Sequence, residues 1–297
     1  MITAHDTTVF GSRVHWLEAG SGGDPPFLLI HGFGSSTAKW LDALPLLGAD
    51  RRAIALDLPG SGQSDAPAGS YSPAWLAGAV RAFCDEIGVD RAIWIGNSLG
   101  GLVAIHGAAA WPERVAGLIG VDAALPSDGG RPSARVVASF VAPAVPILGE
   151  IIYRQYVRRP PETLVRESLE RNFADPSRIS EPTLRALVED ARSRVGRRNH
   201  ARAVVWTNRQ MMWALSARRE ATWSVLRRVK APTLFIWGAS DRLIPVEAGR
   251  RAVELLPGSD LIAIDDCGHN PQMECPEEFA ASAIAFARRL DARAERA

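Results

Sequence analysis

Short apolar runs recur along the chain: Phe27-Leu28-Leu29-Ile30, Ala53-Ile54-Ala55-Leu56, Ala92-Ile93-Trp94-Ile95, Leu118-Ile119-Gly120-Val121, Thr233-Leu234-Phe235-Ile236-Trp237 and Leu261-Ile262-Ala263-Ile264. These runs do not alternate with polar positions, they are too short for helices, and several are rich in β-branched residues, the profile of strands buried on both faces. Elsewhere the period is helical. Leu102, Val103, Ile105, His106 and Ala109 recur at that spacing up to Trp111-Pro112, where a helix should stop. From Arg131 to Arg228 helical periodicity dominates and strand signals vanish, with prolines at 143, 146, 160, 161, 176 and 182 as punctuation. The pattern predicts a helical cap over residues 125–230, inserted after the strand that ends near Val121. The remainder, 1–124 and 231–297, forms a core in two parts.

Between the run ending at Ile95 and the helix-like segment stands Gly96-Asn97-Ser98-Leu99-Gly100. A serine on so tight a strand-to-helix turn is held in a strained conformation, and only small residues fit two places before and two after it. The turn lifts the Ser98 hydroxyl to a helix N-terminus, where backbone N–H groups and the helix dipole favour an approaching negative charge.

A serine hydroxyl becomes a nucleophile only when a base takes its proton, and the base works best when a third group fixes its tautomer. Of the six histidines, His5 lies in the N-terminal arm, His15 in a strand-like segment, His106 on the helix after Ser98 and His200 in an arginine-rich stretch. His269 differs, because Asp265-Asp266-Cys267-Gly268-His269-Asn270-Pro271 is a loop of turn formers directly after an apolar run. Asp241, in Gly238-Ala239-Ser240-Asp241-Arg242, likewise follows a strand. Asp122 is the rival acid, following the run that ends at Val121, whereas Asp265 and Asp266 are too near His269 in sequence to orient it. The order Ser98, Asp241, His269 is the nucleophile-acid-base order of one particular fold.

With His31-Gly32-Phe33-Gly34, Asp57-Leu58-Pro59-Gly60-Ser61-Gly62-Gln63-Ser64, the serine turn, Gly238-Ala239-Ser240-Asp241-Arg242-Leu243-Ile244-Pro245 and Cys267-Gly268-His269-Asn270-Pro271-Gln272-Met273-Glu274, the chain resembles the α/β-hydrolase fold superfamily, in its serine esterase and lipase-like branch. The motifs span residues 27 to 274. The resemblance implies an α/β fold, a mostly parallel eight-stranded sheet flanked by helices, with the helical cap inserted. It also implies a triad of Ser98, Asp241 and His269, and an oxyanion hole made by the N–H groups of Phe33 and Leu99. His31 immediately follows a strand and is expected to brace its loop without touching substrate. One departure is Ser61, where many members carry histidine.

Composition narrows the function. With 47% hydrophobic and 23% charged residues in 297, the chain can bury a large core. A net charge of +1 gives no global field to recruit nucleic acid or an anionic membrane. The lysines are Lys39 and Lys230 alone, so nearly all the positive charge is arginine, and residues 131–228 hold 19 arginines against 9 acidic residues. Such an excess reads first as a solvated face. The three cysteines, 84, 267 and 275, suit neither a disulfide framework nor a zinc site, so a cytoplasmic protein without a metal is expected. The first residues show no signal peptide, and the glycine pairs lack a nucleotide-binding pattern. The apolar stretch Val136 to Gly149 is too short, and too broken by Pro143 and Pro146, to span a bilayer.

The expected activity is hydrolysis of a small apolar carboxylic ester through an acyl-serine, without a cofactor, by a monomer or homodimer that does not insert into membranes. Trp206, Met212 and Trp213 are candidate walls of the substrate pocket, or else part of the cap's own core. The alternatives are C–C bond hydrolysis of dienoate-type ketones and a non-catalytic ligand receptor on the same fold. For the former, Asn97 and Cys267-Gly268-His269 fit, whereas Asn270 and the His31–Gly34 loop depart from the pattern of those enzymes.

Overall fold

The structure is a computed structural model that describes residues 1–127, 148–197 and 199–296. The apolar runs form strands β3 (Phe27–Ile30), β4 (Ala53–Leu56), β5 (Ala92–Asn97), β6 (Val115–Val121), β7 (Thr233–Gly238) and β8 (Asp260–Ile264). Ahead of them, β1 (Ile2–Val9) and β2 (Ser12–Ala19) make a hairpin. One eight-stranded sheet results, in the order β1-β2-β4-β3-β5-β6-β7-β8, with the β1–β2 and β2–β4 pairings antiparallel and all the others parallel.

Every residue of β3 to β7 is buried, so alternate side chains feed two separate cores. Leu28, Ile30 and Trp94 join one core, with α2 (Pro73–Glu86), α3 (Leu99–Ala110) and α9 (Val246–Leu255). Phe27, Leu29, Ile93 and Ile95 join the other, with α1 (Ala43–Gly48) and α10 (Pro276–Ala294). Each fully buried large apolar side chain contributes roughly 1.5–3 kcal/mol through removal from water, which is why runs without alternation become central strands. Beyond β7 the burial thins, and β8 is a partly exposed edge strand.

Local signals set the helix starts. Ser72 takes an extended backbone and accepts the Trp75 N–H at 3.2 Å, with Pro73 at the first helical position. Between β6 and β7 lie helices α4 (Leu148–Tyr156), α5 (Pro161–Asn172), α6 (Glu181–Ser193), α7 (His200–Leu215) and α8 (Arg219–Leu226), in the stretch expected to form the cap. Most of the apolar stretch predicted at 136–149, namely 136–147, lies outside the described residues. Among the described residues no helix is long and apolar enough to cross a membrane.

Candidate active site

The turn between β5 and α3 carries Ser98 at φ 54° and ψ −117°, a left-handed backbone that a non-glycine residue occupies only under constraint. The constraint is visible on both sides. The Ser98 N–H donates to Val121 O at 2.9 Å, and Ser98 O accepts from Ala124 N–H at 2.9 Å. A Cβ at Gly100 would run into the carbonyl oxygen of Ile30, and one at Gly96 into that of Gly100, so both flanking positions require glycine. Serine at a helix N-cap normally bonds a backbone N–H with its hydroxyl; Ser98 makes no such bond, and its Oγ stays available for other chemistry.

His269 comes from the loop after β8 and Asp241 from the loop after β7. His269 Nδ1 and Asp241 Oδ2 are 2.6 Å apart, and both residues are buried. Asp241 Oδ1 accepts the N–H groups of Leu243 at 2.7 Å and Ile244 at 3.0 Å, which fixes the carboxylate plane. The His269 loop is tied down from several directions. Its N–H donates to Asn172 O at 2.6 Å, and its carbonyl accepts from Asn97 Nδ2 at 3.2 Å, linking it to the residue before Ser98. Glu274 accepts from the Gly268 N–H at 2.7 Å and from the Asp175 N–H at 2.8 Å, so one carboxylate joins the histidine loop to the inserted helices.

Asp122, the rival acid, is fully buried and does not bond His269; its Oδ1 accepts the Gly238 N–H at 3.0 Å. Burial first, and then the neighbouring Asp241, push its carboxyl well above the usual range. Asp122, Asp241 and His269 each place a polar atom within 4.8 Å of the others. A cation there would have to displace existing partners, since Asp241 spends both oxygens on N–H donors and His269.

The Gly32–Gly34 loop packs against the serine turn: a Cβ on Gly32 would meet Asn97 Oδ1 and Ser98 Cβ, each at 3.2 Å. Phe33 and Leu99 line one cavity, together with Leu76, Gly60, Val204 and Thr207. His31 braces this loop as expected. Its Nδ1 meets Gly32 O at 2.8 Å, and its Nε2 accepts the Leu58 N–H at 3.0 Å. Burial lowers its pKa to about 4, so the ring is neutral at neutral pH.

Of the three pocket candidates on α7, Trp206 packs against the core beneath the guanidinium of Arg209. Trp213 is 46% exposed and lies under Arg218, whose guanidinium carbon is 4.0 Å from the ring centre, while Met212 is half-buried. The residues of α7 that face the cavity beside Phe33 and Leu99 are instead Val204 and Thr207. Helical periodicity gives the apolar face of this segment but not the angle at which it settles on the core.

Other residues at the site carried no sequence signal of their own. Arg194, one arginine among many in an Arg-rich stretch, donates to Gly34 O at 2.8 Å and pairs with Asp190 at 2.6 Å, clamping the Phe33 loop from α6's end. Lys39 Nζ donates to Asn270 Oδ1 at 3.0 Å, beside His269. Burial, followed by the charges of Arg194 and Arg171, lowers the Lys39 pKa to about 8.

Comparison with known proteins agrees with this architecture. The profile of the alpha/beta hydrolase fold family matches residues 25–276. The chain is 31% identical over 284 residues to a 2-hydroxy-6-oxononadienedioate/2-hydroxy-6-oxononatrienedioate hydrolase of Burkholderia vietnamiensis, covering 93% of this chain and 91% of that one. It is also 31% identical over 288 residues to the dihydrolipoyllysine-residue acetyltransferase component of the acetoin cleaving system of Pseudomonas putida, covering 95% of this chain and 68% of that protein. Among solved structures, a membrane phospholipase A described as a bacterial virulence factor superposes with a TM-score of 0.78 at 30% identity, covering 98% of this chain and 87% of that one. By its sheet order and its match over most of its length, the chain belongs to the alpha/beta hydrolase fold family.

Proposed function

We propose that the protein is a serine hydrolase that cleaves carboxylic esters through an acyl-serine intermediate. The observation that carries this reading is a strained, uncapped Ser98 together with a buried His269–Asp241 pair, whose histidine loop is tied to the serine turn through Asn97. Ser98 Oγ attacks the ester carbonyl while His269 Nε2 takes its proton. The N–H groups of Phe33 and Leu99 receive the charge that develops on the carbonyl oxygen. His269 returns the proton to the leaving alkoxide, water repeats the sequence on the acyl-serine, and Asp241 holds the imidazole in the tautomer with the proton on Nδ1. No step requires a metal or cofactor. The inserted helices act as a cap whose Val204 and Thr207 face the acyl group, and the similarity to a phospholipase A supports an apolar acyl chain. We place the enzyme in the cytoplasm, as a monomer or homodimer without a membrane-inserted segment.

A p-nitrophenyl ester series of increasing acyl length, run on wild type and Ser98→Ala, tests the reading. It predicts turnover by wild type and its loss in Ser98→Ala. Hydrolysis unchanged by Ser98→Ala contradicts it, and a ligand receptor would bind esters without turnover.

The second reading is C–C hydrolysis of a dienoate-type ketone, favoured by the similarity to the 2-hydroxy-6-oxo dienedioate hydrolase and by Asn97 immediately before the serine. Cleavage of such a ketone faster than any p-nitrophenyl ester would favour it.

A further inference from the structure

Asp122 is a buried carboxyl beside the site that the acyl-serine mechanism leaves unused. It follows β6 in a left-handed conformation, φ 41°, and its side chain has no access to solvent. The backbone is held there by its N–H, which donates to Ile236 O at 3.0 Å and so bridges β6 to β7. Its Oδ1 accepts the Gly238 N–H, whereas its buried Oδ2 meets no donor among the described residues. The titratable groups around it are Asp241 and His269, each with a polar atom within 4.8 Å, followed by Glu274 and Cys267.

An ionised Asp122 would leave a bare carboxylate oxygen sealed from water with a second carboxylate close by, an arrangement that costs more than any donor present can offset. Two adjacent buried carboxyls relieve that conflict by sharing one proton. The occupancy of the two groups decides which holds it. Asp241 accepts two N–H groups on one oxygen and bonds His269 on the other, so its charged form is well supported; Asp122 has a single N–H. The proton therefore belongs on Asp122, and the shift of its carboxyl well above the usual range, caused first by burial and then by Asp241, agrees. With that proton, Oδ2 changes from an acceptor lacking a donor into a donor with the Asp241 carboxylate nearby.

We propose that Asp122 is a positioning residue, a neutral carboxylic acid whose Oδ2 hydroxyl donates to the Asp241 carboxylate and holds it in the orientation that meets His269 Nδ1. The second consequence is electrostatic. A neutral Asp122 adds no negative charge beside His269, and its hydrogen bond withdraws charge from Asp241. Only the kinetic part of this claim rests on the acyl-serine reading.

The test is the NMR titration of the His269 imidazole in wild type, Asp122→Asn and Asp122→Ala, which needs no substrate. An asparagine amide keeps both bonds, accepting from Gly238 and donating to Asp241, so its midpoint should match wild type within about 0.3 pH unit. Alanine removes the donor and should raise the midpoint by roughly half a unit or more. A midpoint in Asp122→Asn lower by about one unit would show that wild-type Asp122 is anionic and overturn the proposal. So would an Asp122→Ala midpoint equal to wild type. The isosteric asparagine variant keeps the claim falsifiable if the alanine variant does not fold. In ester turnover, Asp122→Asn should retain kcat within about threefold, while Asp122→Ala loses about tenfold or more at similar KM; equal losses in both would contradict a donor role. Labelling of wild-type Ser98 by a fluorophosphonate reports separately on the acyl-serine reading, so failure of the one is distinguishable from failure of the other.

Discussion

His269 Nδ1 and Asp241 Oδ2 stand 2.6 Å apart, with the imidazole 3% exposed and the carboxylate side chain not at all. Within that dry pair the carboxylate decides where the ring's proton sits. Asp241→Asn leaves the shape and can stabilise the wrong tautomer, so kcat for an ester substrate should fall by about 10⁴-fold. Steady-state kinetics on Asp241→Asn and Asp122→Asn decide between the two aspartates: a large loss in the second with little in the first would move the orienting role to Asp122.

The serine turn should be as sensitive to a methyl group as the chemistry is to the triad. Gly100→Ala forces a Cβ against the Ile30 carbonyl, part of the central sheet that cannot step aside. The expected cost is on the order of 3 kcal/mol, a fall in Tm of about 5–10 °C. Differential scanning calorimetry checks it, and a Tm within 2 °C of wild type (about 1 kcal/mol or less) would show the turn to be looser than described.

Much of this arrangement was legible in the sequence because its causes are local. Runs such as Phe27–Ile30 and Thr233–Trp237 lack polar positions because both faces of a central strand are covered. Gly96 and Gly100 flank Ser98 because backbone passes within contact of them. The links from Lys39 to Asn270, and from Arg194 to Gly34, were not legible. They join residues more than 150 positions apart, through side chains that chemically resemble their solvated neighbours. The lining of the cavity beside Phe33 was not legible for a related reason: a helical repeat identifies an apolar stripe on α7 but not its tilt, which sets Val204 and Thr207 against that cavity.

Arg194 gives a prediction that connects the inserted helices to the oxyanion loop. Arg194→Met removes the donor to Gly34 O and leaves Asp190, a mostly buried carboxylate, without its guanidinium partner. Breaking a buried pair from one side costs roughly 3–5 kcal/mol, and loss of the loop's clamp should lower kcat by about tenfold. Thermal melting and ester kinetics measured together check this; a stable variant with unchanged kcat would remove Arg194 from the account.

The pH dependence of stability carries a signature of His31. Its pKa is lowered from 6.5 to about 4 in the folded protein, chiefly by burial, so between those values the unfolded chain binds the proton and the folded chain does not. Stability from this group is fully present above pH 6.5 and is lost as pH falls toward 4, by about 3 kcal/mol in all. Asp57, raised to about 6 by burial, acts in the opposite sense over pH 3.8 to 6, so the comparison must be made against a variant. In His31→Gln, the denaturant midpoint should fall less steeply than in wild type between pH 6.5 and 4; identical slopes would contradict a buried neutral imidazole.

The most direct test of the central claim is mass spectrometry of the protein after reaction with a fluorophosphonate. One stoichiometric adduct is expected, mapped to the peptide that carries Ser98, formed at a rate that His269→Ala cuts by several orders of magnitude. An unlabelled Ser98, or an adduct on another residue with esterase activity intact, would contradict it.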